Sequence, residues 1–491
     1  MASIARKARR QKSHSKHQRK NERRLRRRSK KNRRRAQCPT PLPGRIARIV
    51  GALFAFFAGA FTRPTWQRFV VLLFAAILTT GSRTISNLLR TVDLLAPGDP
   101  SSYHRVMSKR SWSIWRLSRS LASFIFARWV PEGTIQLAGD DTVAEHKGKK
   151  VFGKGCHRDA VRSTHSFTAF RWGHKWVVLA VLVKFPFATR PWALPILCAL
   201  YRTEKDNEAC GRRHKTPAEL MRQMLAVLMR WFPERRFVFI GDGGYGTHPL
   251  AWFAHRHRAR LALVSRFYAD ANLYALPAQP KSKKSAGRPR KKGRKQPKPE
   301  AVVKRAKRKR LHVTWYGGGE RNIEIVTRDS HWYKAGVGLV PVRWVFVHDR
   351  TGTHRDEYFF STDVELSAKE IVEAYTRRWN IETTFQEMRT WLKVEKTRGW
   401  TEKTVLRTAP CLFGLYALIA VIYAELPAKW QAERVIVGAK KTCVTFSDAI
   451  TAVRRWLWAE WIFATPGHSG AFTKIPPRLR AALLTSLAPS A

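Results

Sequence analysis

At 491 residues, 44% of them hydrophobic and nineteen of them Trp, the chain can bury the core of more than one folding unit, which excludes wholesale disorder. Ninety-three Lys and Arg stand against 34 Asp and Glu, and the formal net charge of +59 calls for a polyanionic partner, of which nucleic acid is the commonest. Composition alone does not separate an enzyme from a passive binder.

The charge is concentrated. Residues 1–35 hold eighteen Lys or Arg against one Glu and cannot collapse on themselves, so residues 1–40 are expected to be a disordered basic arm. From 41 to 130 the text reads as a helical N-terminal DNA-binding domain, with Pro64 and "APGDPSS" (96–102) as breaks. Its apolar runs at 46–61 and 69–79 are short for a bilayer span and are divided by "TRPTWQR", so no stable membrane insertion is expected. Six cysteines at 38, 156, 198, 210, 411 and 443 lack C-x-x-C spacing and read as reduced, mostly buried thiols of a cytoplasmic protein.

At 134 the pattern turns strand-like. "TIQLAGDD" runs into a turn, and "SFTAF" (166–170) and "WVVLAVLVKF" (176–185) read as a hairpin. "TPAELMRQMLAVLMRWF" (216–232) is an amphipathic helix; "RRFVFIGDGGYG" (235–246) and "LALVSRF" (261–267) are buried strands. A second basic block, 281–310, holds sixteen Lys or Arg against one Glu and reads as a loop. Within it "GRPRKK" has the form of an A·T minor-groove hook, which makes Arg288 and Arg290 candidate DNA contacts. The text is β-rich from 311 to 361, and helix returns at 367, where Ser367 and Glu370 form a capping-box pattern.

Three carboxylate positions carry the chemistry. On the helix "YTRRWNIETTFQEMR" (375–389), Tyr375, Arg378, Glu382 and Arg389 fall within an arc of about 60° bordering the buried stripe. Taken alone, that pattern is better explained by Arg–Glu pairing on an ordinary helix. Asp242 ends an apolar strand and is followed by two glycines, where open α/β sheets place ligands and where a plain Asp-Gly turn is also frequent. The pair Asp140-Asp141 closes "TIQLAG". Acids at the ends of buried elements, in a chain that attracts nucleic acid, are what divalent-metal phosphoryl transfer requires.

In this order, an Asp-Thr at a strand end, an Asp-Gly at a later one and then Y-x2-R-x3-E on a helix, the residues resemble the DDE transposases of bacterial insertion sequences. The likeness is to the branch with a Tyr-Arg-Glu-Lys signature, with Arg389 standing where that signature has Lys. The resemblance implies an α/β, RNase H-like mixed sheet with helices on both faces. It also implies a β-rich insertion before the last catalytic helix.

The expected layout is a first part of the core at 131–270, the insertion at 271–362, the core helix at 363–400 and a C-terminal helical region at 401–491. It further implies Asp141, chosen because it directly precedes Thr142, together with Asp242 and Glu382, as ligands of two Mg²⁺ or Mn²⁺ ions. Tyr375, Arg378 and Arg389 would grip phosphates near the cleaved end, and Tyr358 would stack a displaced base. The implied activity is cleavage at terminal inverted repeats and joining of 3′-hydroxyls to target DNA, by a homodimer working in the bacterial cytoplasm and nucleoid. An RNase H-like nuclease without strand transfer and a non-catalytic DNA-binding remnant are the rival expectations.

Overall fold

The computed structural model describes residues 44–159, 163–164, 166–277, 290–431, 443–464 and 469–489. The basic arm and Arg288 lie outside them. Five helices open the described chain: α1 (Gly44–Ala58), α2 (Arg63–Leu78), α3 (Ile85–Val92), α4 (Pro100–Ser108) and α5 (Ile114–Trp129). The expected breaks are present. Pro64 sits in the first turn of α2, and Asp99 caps α4 ahead of Pro100. Phe54, Phe61, Trp66, Phe69, Phe74 and Trp112 form the aromatic core of this unit.

The sheet has eleven strands: β1 (Ile135–Glu145), β2 (Gly155–Arg158), β3 (Phe170–Val183), β4 (Trp192–Tyr201), β5 (Phe237–Gly241), β6 (Leu261–Arg266), β7 (Leu273–Tyr274), β8 (Lys309–Thr314), β9 (Glu320–Lys334), β10 (Gly338–Asp349) and β11 (Glu357–Ser361). At its centre β4, β3 and β1 are antiparallel neighbours, and β1, β5 and β6 run parallel. That five-strand arrangement is the expected RNase H-like core. β11 then pairs antiparallel with β6, so the β-rich insertion extends the core sheet edge to edge.

Two expectations shift here. Residues 166–169 are not strand, and β3 pairs with β4, which contains Pro195 and bonds on one side only. The segment 281–310 is not loop throughout: Pro299–Arg305 is helical with Val302 and Val303 buried, and β8 starts at Lys309. Nearer its middle, Lys292 lies over the rings of Tyr274 and Tyr333, 4.2 and 4.6 Å from their centroids.

Helices cover both faces. α6 (Pro217–Trp231) and α7 (His248–Arg256) pack on one. α8 (Ala368–Arg378), α9 (Asn380–Glu387) and α10 (Glu402–Glu425) pack on the other, and α11 (Phe446–Leu457) packs against α10. Among the described residues α10 alone is long and apolar enough to cross a membrane, and it is mostly buried inside the protein. Of the five described cysteines, all unpaired, Cys156 and Cys210 are exposed, contrary to the expectation of mostly buried thiols.

Buried arginines tie the helical unit to the C-terminal helices. On α10, Arg407 donates to the carbonyls of Val106, Met107 and Trp112 at 3.1–3.3 Å. On α11, Arg454 donates to Ile77 and Thr79, and Arg83 shares the Thr79 carbonyl. All but the Trp112 carbonyl, which lies in the α4–α5 loop, sit at the C-terminal ends of α2 and α4, where carbonyls lack partners within the helix. Burial lowers the Arg83 and Arg454 guanidiniums to about 9 and about 10. Replacing Arg407 with Met should cost about 2–3 kcal/mol in urea unfolding, because buried carbonyls lose charged donors. An unchanged midpoint would show the clamp to be idle.

Candidate active site

β1 and β5 are in register at Gly139 and Gly241, so Asp140 and Asp242 follow at adjacent positions beyond the parallel pairing. Here α/β sheets bind ligands. The turn after β5 is tightly built: Gly244 N–H donates to Asp242 Oδ1 at 3.0 Å, and Ser265 Oγ donates to the Asp242 carbonyl at 2.7 Å. A Cβ at Gly246 would press on the Arg266 carbonyl at 2.6 Å, which is why a glycine stands there.

Glu382 comes from above the sheet. The capping box forms as expected, with Glu370 N–H donating to Ser367 Oγ at 3.2 Å and Ser367 N–H to Glu370 Oε2 at 2.8 Å. The helix is not continuous: it is divided at Trp379 and closes in one π turn, Met388–Leu392, ended by Lys393 at φ 52°. α8 and α9 lie over β1 and β4 and carry Arg378 and Glu382 onto the same face as Asp140.

Arg378 joins the two acids. Its Nη1 donates to Asp140 Oδ2 at 2.9 Å and its Nη2 to Glu382 Oε1 at 2.8 Å. Arg389 donates to Thr142 Oγ1, and its Nε lies 3.5 Å from Glu395. Strand alternation puts residues 136, 140 and 142 on one face, and Gln136 accepts from Arg377 there. Asp141 points the other way, its Oδ1 3.1 Å from Lys175 Nζ. The structure therefore brings Asp140, and not Asp141, to the Arg378–Glu382 pair.

The aspartates are crowded. Burial first, with Asp242 and Asp141 adding and Arg378 opposing, pushes the Asp140 carboxyl up to about 7. Burial and Asp242 likewise push Asp141 up, against Lys175. The Tyr245 hydroxyl is buried with no hydrogen-bond partner, and burial and all three aspartates push it far up. Among the described residues no three His, Cys, Asp or Glu side chains converge into a metal cage. Mg²⁺ often takes only one or two carboxylates, with water and phosphate completing its shell, and the acidic oxygens of Asp140 and Asp242 fit that demand.

The other expected contacts divide. Tyr375 is 2% exposed and stacks on Phe359 with centroids 4.2 Å apart, so its ring is packed away from any phosphate in this conformation. Tyr358 lies against Phe346 on the β10–β11 pair. Arg290 is exposed. Two neighbours of the site went unforeseen: Lys175, and Arg190, which donates to Asn380 at 2.5 Å and lies over the Trp379 ring. Both reach the site through strand pairing and packing far along the chain, which local text does not show.

The sequence profile described as "DDE superfamily endonuclease" matches residues 56–322, and that described as "Archaeal putative transposase ISC1217" matches residues 318–405. The first span holds Asp140 and Asp242, the second Glu382. No curated protein matches. Among solved structures, a cryo-EM structure of the piggyBac transposase synaptic complex with hairpin DNA is similar at 10% identity, over 87% of this chain and 77% of that one, with a TM-score of 0.38. With more than half of its length matched by the first profile, the chain belongs to the DDE superfamily endonucleases.

Proposed function

We propose that this endonuclease is a DNA transposase that cuts at the ends of its own mobile element and joins the freed 3′-hydroxyls to target DNA. The observation that carries the reading is the alignment of Asp140 and Asp242 on adjacent strands beneath Glu382, with Arg378 spanning two of the three. In this reading Asp140, Asp242 and Glu382 hold Mg²⁺ or Mn²⁺, with Asp140 in place of the Asp141 that the Asp-Thr adjacency suggests. Bound there, such ions stabilise the attacking and leaving oxygens of an in-line displacement.

The remaining work belongs to the chain. Arg378 holds Asp140 and Glu382 together, and its guanidinium fork would suit a phosphate oxygen placed beside them. Arg389, anchored on Thr142, fixes the phosphate from the same face of β1 as Asp140. Asp141 holds Lys175 at the edge of the site.

The direct test is strand cleavage and strand transfer with Mg²⁺ on DNA carrying the inverted repeats that flank the gene. Joined products support transposition. Cleavage without joining leaves a nuclease, and metal-independent binding with no cleavage leaves a DNA-binding remnant. The homodimer should be visible by light scattering as two chains on paired ends.

The basic arm enters through charge alone. Deleting residues 1–35 should weaken binding to all DNA sequences and flatten the fall of log K with log salt, by about 0.9 for each phosphate that the arm neutralises. An unchanged slope places the arm off the DNA.

A further inference from the structure

The helix that carries Glu382 is polar on the side where packed helices are usually apolar. α9 is about two turns long, and at 100° per residue Asn380, Thr383, Thr384 and Glu387 fall within an arc of about 100°. Glu382 lies about 150° from the middle of that arc, on the other side of the helix. An i, i+3, i+4, i+7 spacing ordinarily marks the apolar stripe that a helix buries. Here Asn380 and Thr384 are buried, Thr383 and Glu387 are half-buried, and each has a partner from outside α9.

The partners come from separate parts of the chain. Arg190, in the loop between β3 and β4, donates through Nη1 to Asn380 Oδ1 at 2.5 Å and to Thr383 Oγ1 at 3.3 Å. Its guanidinium lies 5.7 Å from the ring centroid of Trp379, the residue at which the helix is divided. Thr384 Oγ1 donates to the Ala193 carbonyl of β4 at 2.9 Å. Tyr416 of α10 donates its hydroxyl to Glu387 Oε2 at 2.6 Å, and its ring stacks on Phe446 of α11 with centroids 4.2 Å apart. The belt grips α9 at both ends.

An apolar stripe would let α9 roll, whereas a satisfied network of buried hydrogen bonds fixes one orientation. This helix needs fixing. At the division its ladder tightens, with Glu382 N–H on the Trp379 carbonyl at 3.0 Å, and after Glu387 it widens into the π turn. A roll of about 20° would carry a carboxylate at the helix periphery by roughly 2 Å. Metal–ligand distances hold to within about 0.2 Å, so such a roll would take Glu382 out of any shared coordination.

We propose that Arg190, Glu387 and Tyr416 are positioning residues that set the rotation of α9, and so hold the Glu382 carboxylate where a divalent ion can share it with Asp140 and Asp242. This rests on the reading of those acids as metal ligands, so the test measures the ion and not the reaction. Full-length protein without DNA is titrated with Mn²⁺, and the free ion is read by electron paramagnetic resonance. Arg190→Met and Glu387→Leu should each raise the half-saturating Mn²⁺ concentration about tenfold or more, the size of effect seen when a partner behind a metal ligand is lost. Glu387→Gln keeps an oxygen for the Tyr416 hydroxyl and should bind Mn²⁺ like the unmodified protein. Arg190 is only half-buried, so its variant tests the belt even if Glu387→Leu fails to fold.

Arg407→Met separates positioning from mere stability. It loses only the bonds to Val106, Met107 and Trp112, none of them on α9, and should keep its Mn²⁺ affinity while its urea midpoint falls. Unchanged Mn²⁺ affinity in both Arg190→Met and Glu387→Leu overturns the proposal, as does an equal loss in Arg407→Met. Mn²⁺ binding that survives Glu382→Gln overturns it together with the metal-ligand reading, a result distinct from the other two.

Discussion

Asp140→Asn, Asp242→Asn and Glu382→Gln proteins are each expected to lose strand cleavage by at least about 10³-fold, while Asp141→Asn loses about 10–100-fold. The amides keep the size of each side chain and most hydrogen-bonding capacity, and they remove the charge that a hard divalent ion needs. Asp141 differs because its carboxylate holds Lys175, at 3.1 Å, on the opposite face of β1. Loss of a supporting partner of that kind typically costs 10–100-fold. Single-turnover cleavage of a labelled terminal-repeat duplex in Mg²⁺ separates the two classes. A dead Asp141→Asn protein beside an active Asp140→Asn protein would return the first ligand to Asp141. Full activity in all four would remove the enzymatic reading.

Much of this site could be read from the chain, and the parts that could not have physical reasons. β5 and β6 announced themselves as continuous apolar runs because parallel strands covered on both faces carry no polar alternation. Asp242 and the Ser367–Glu370 box followed from local rules. The choice within Asp140-Asp141 was open to a period-two argument: Thr142 and Asp140 share a face, and Arg389 and Arg378 meet that face. Adjacency to Thr suggested the other residue.

What escaped was non-local. Pro195 hides β4, and only its one-sided pairing explains how proline is tolerated. The π turn at Met388–Leu392 breaks the 100° step on which the arc of Tyr375, Arg378, Glu382 and Arg389 was drawn. Arg389, inside that turn, reaches Thr142, while Tyr375, in the regular helix before it, packs on Phe359. The insertion could be sensed as β-rich, but its union with the core through β11 and β6 depends on a pairing nearly a hundred residues apart in sequence.

The acids proposed to serve the chemistry should also burden the fold, and Asp140 is where that is measurable. Its carboxyl is raised to about 7, against about 3.9 for an unfolded Asp. The folded chain then binds the proton more tightly than the unfolded one. The stability linked to that proton is complete below about pH 4 and is lost as pH rises through about 7. Three pH units at about 1.4 kcal/mol each make the loss on the order of 4 kcal/mol. Asp141, raised by the same crowding, adds to it in the same direction.

Asp140→Asn has no carboxyl to ionise and leaves Arg378 an amide oxygen and the Glu382 charge. Its stability relative to the unmodified protein should therefore climb between pH 5 and pH 8, by about 2–3 kcal/mol in urea unfolding without divalent ions. Mg²⁺ should then stabilise the unmodified protein at pH 8 much more than the variant, since a bound cation relieves the repulsion that the substitution has already removed. A variant that gains nothing across that range would mean that Arg378 alone suffices to keep Asp140 ionised, and that the site is built around an ion pair with no strain for a metal to relieve.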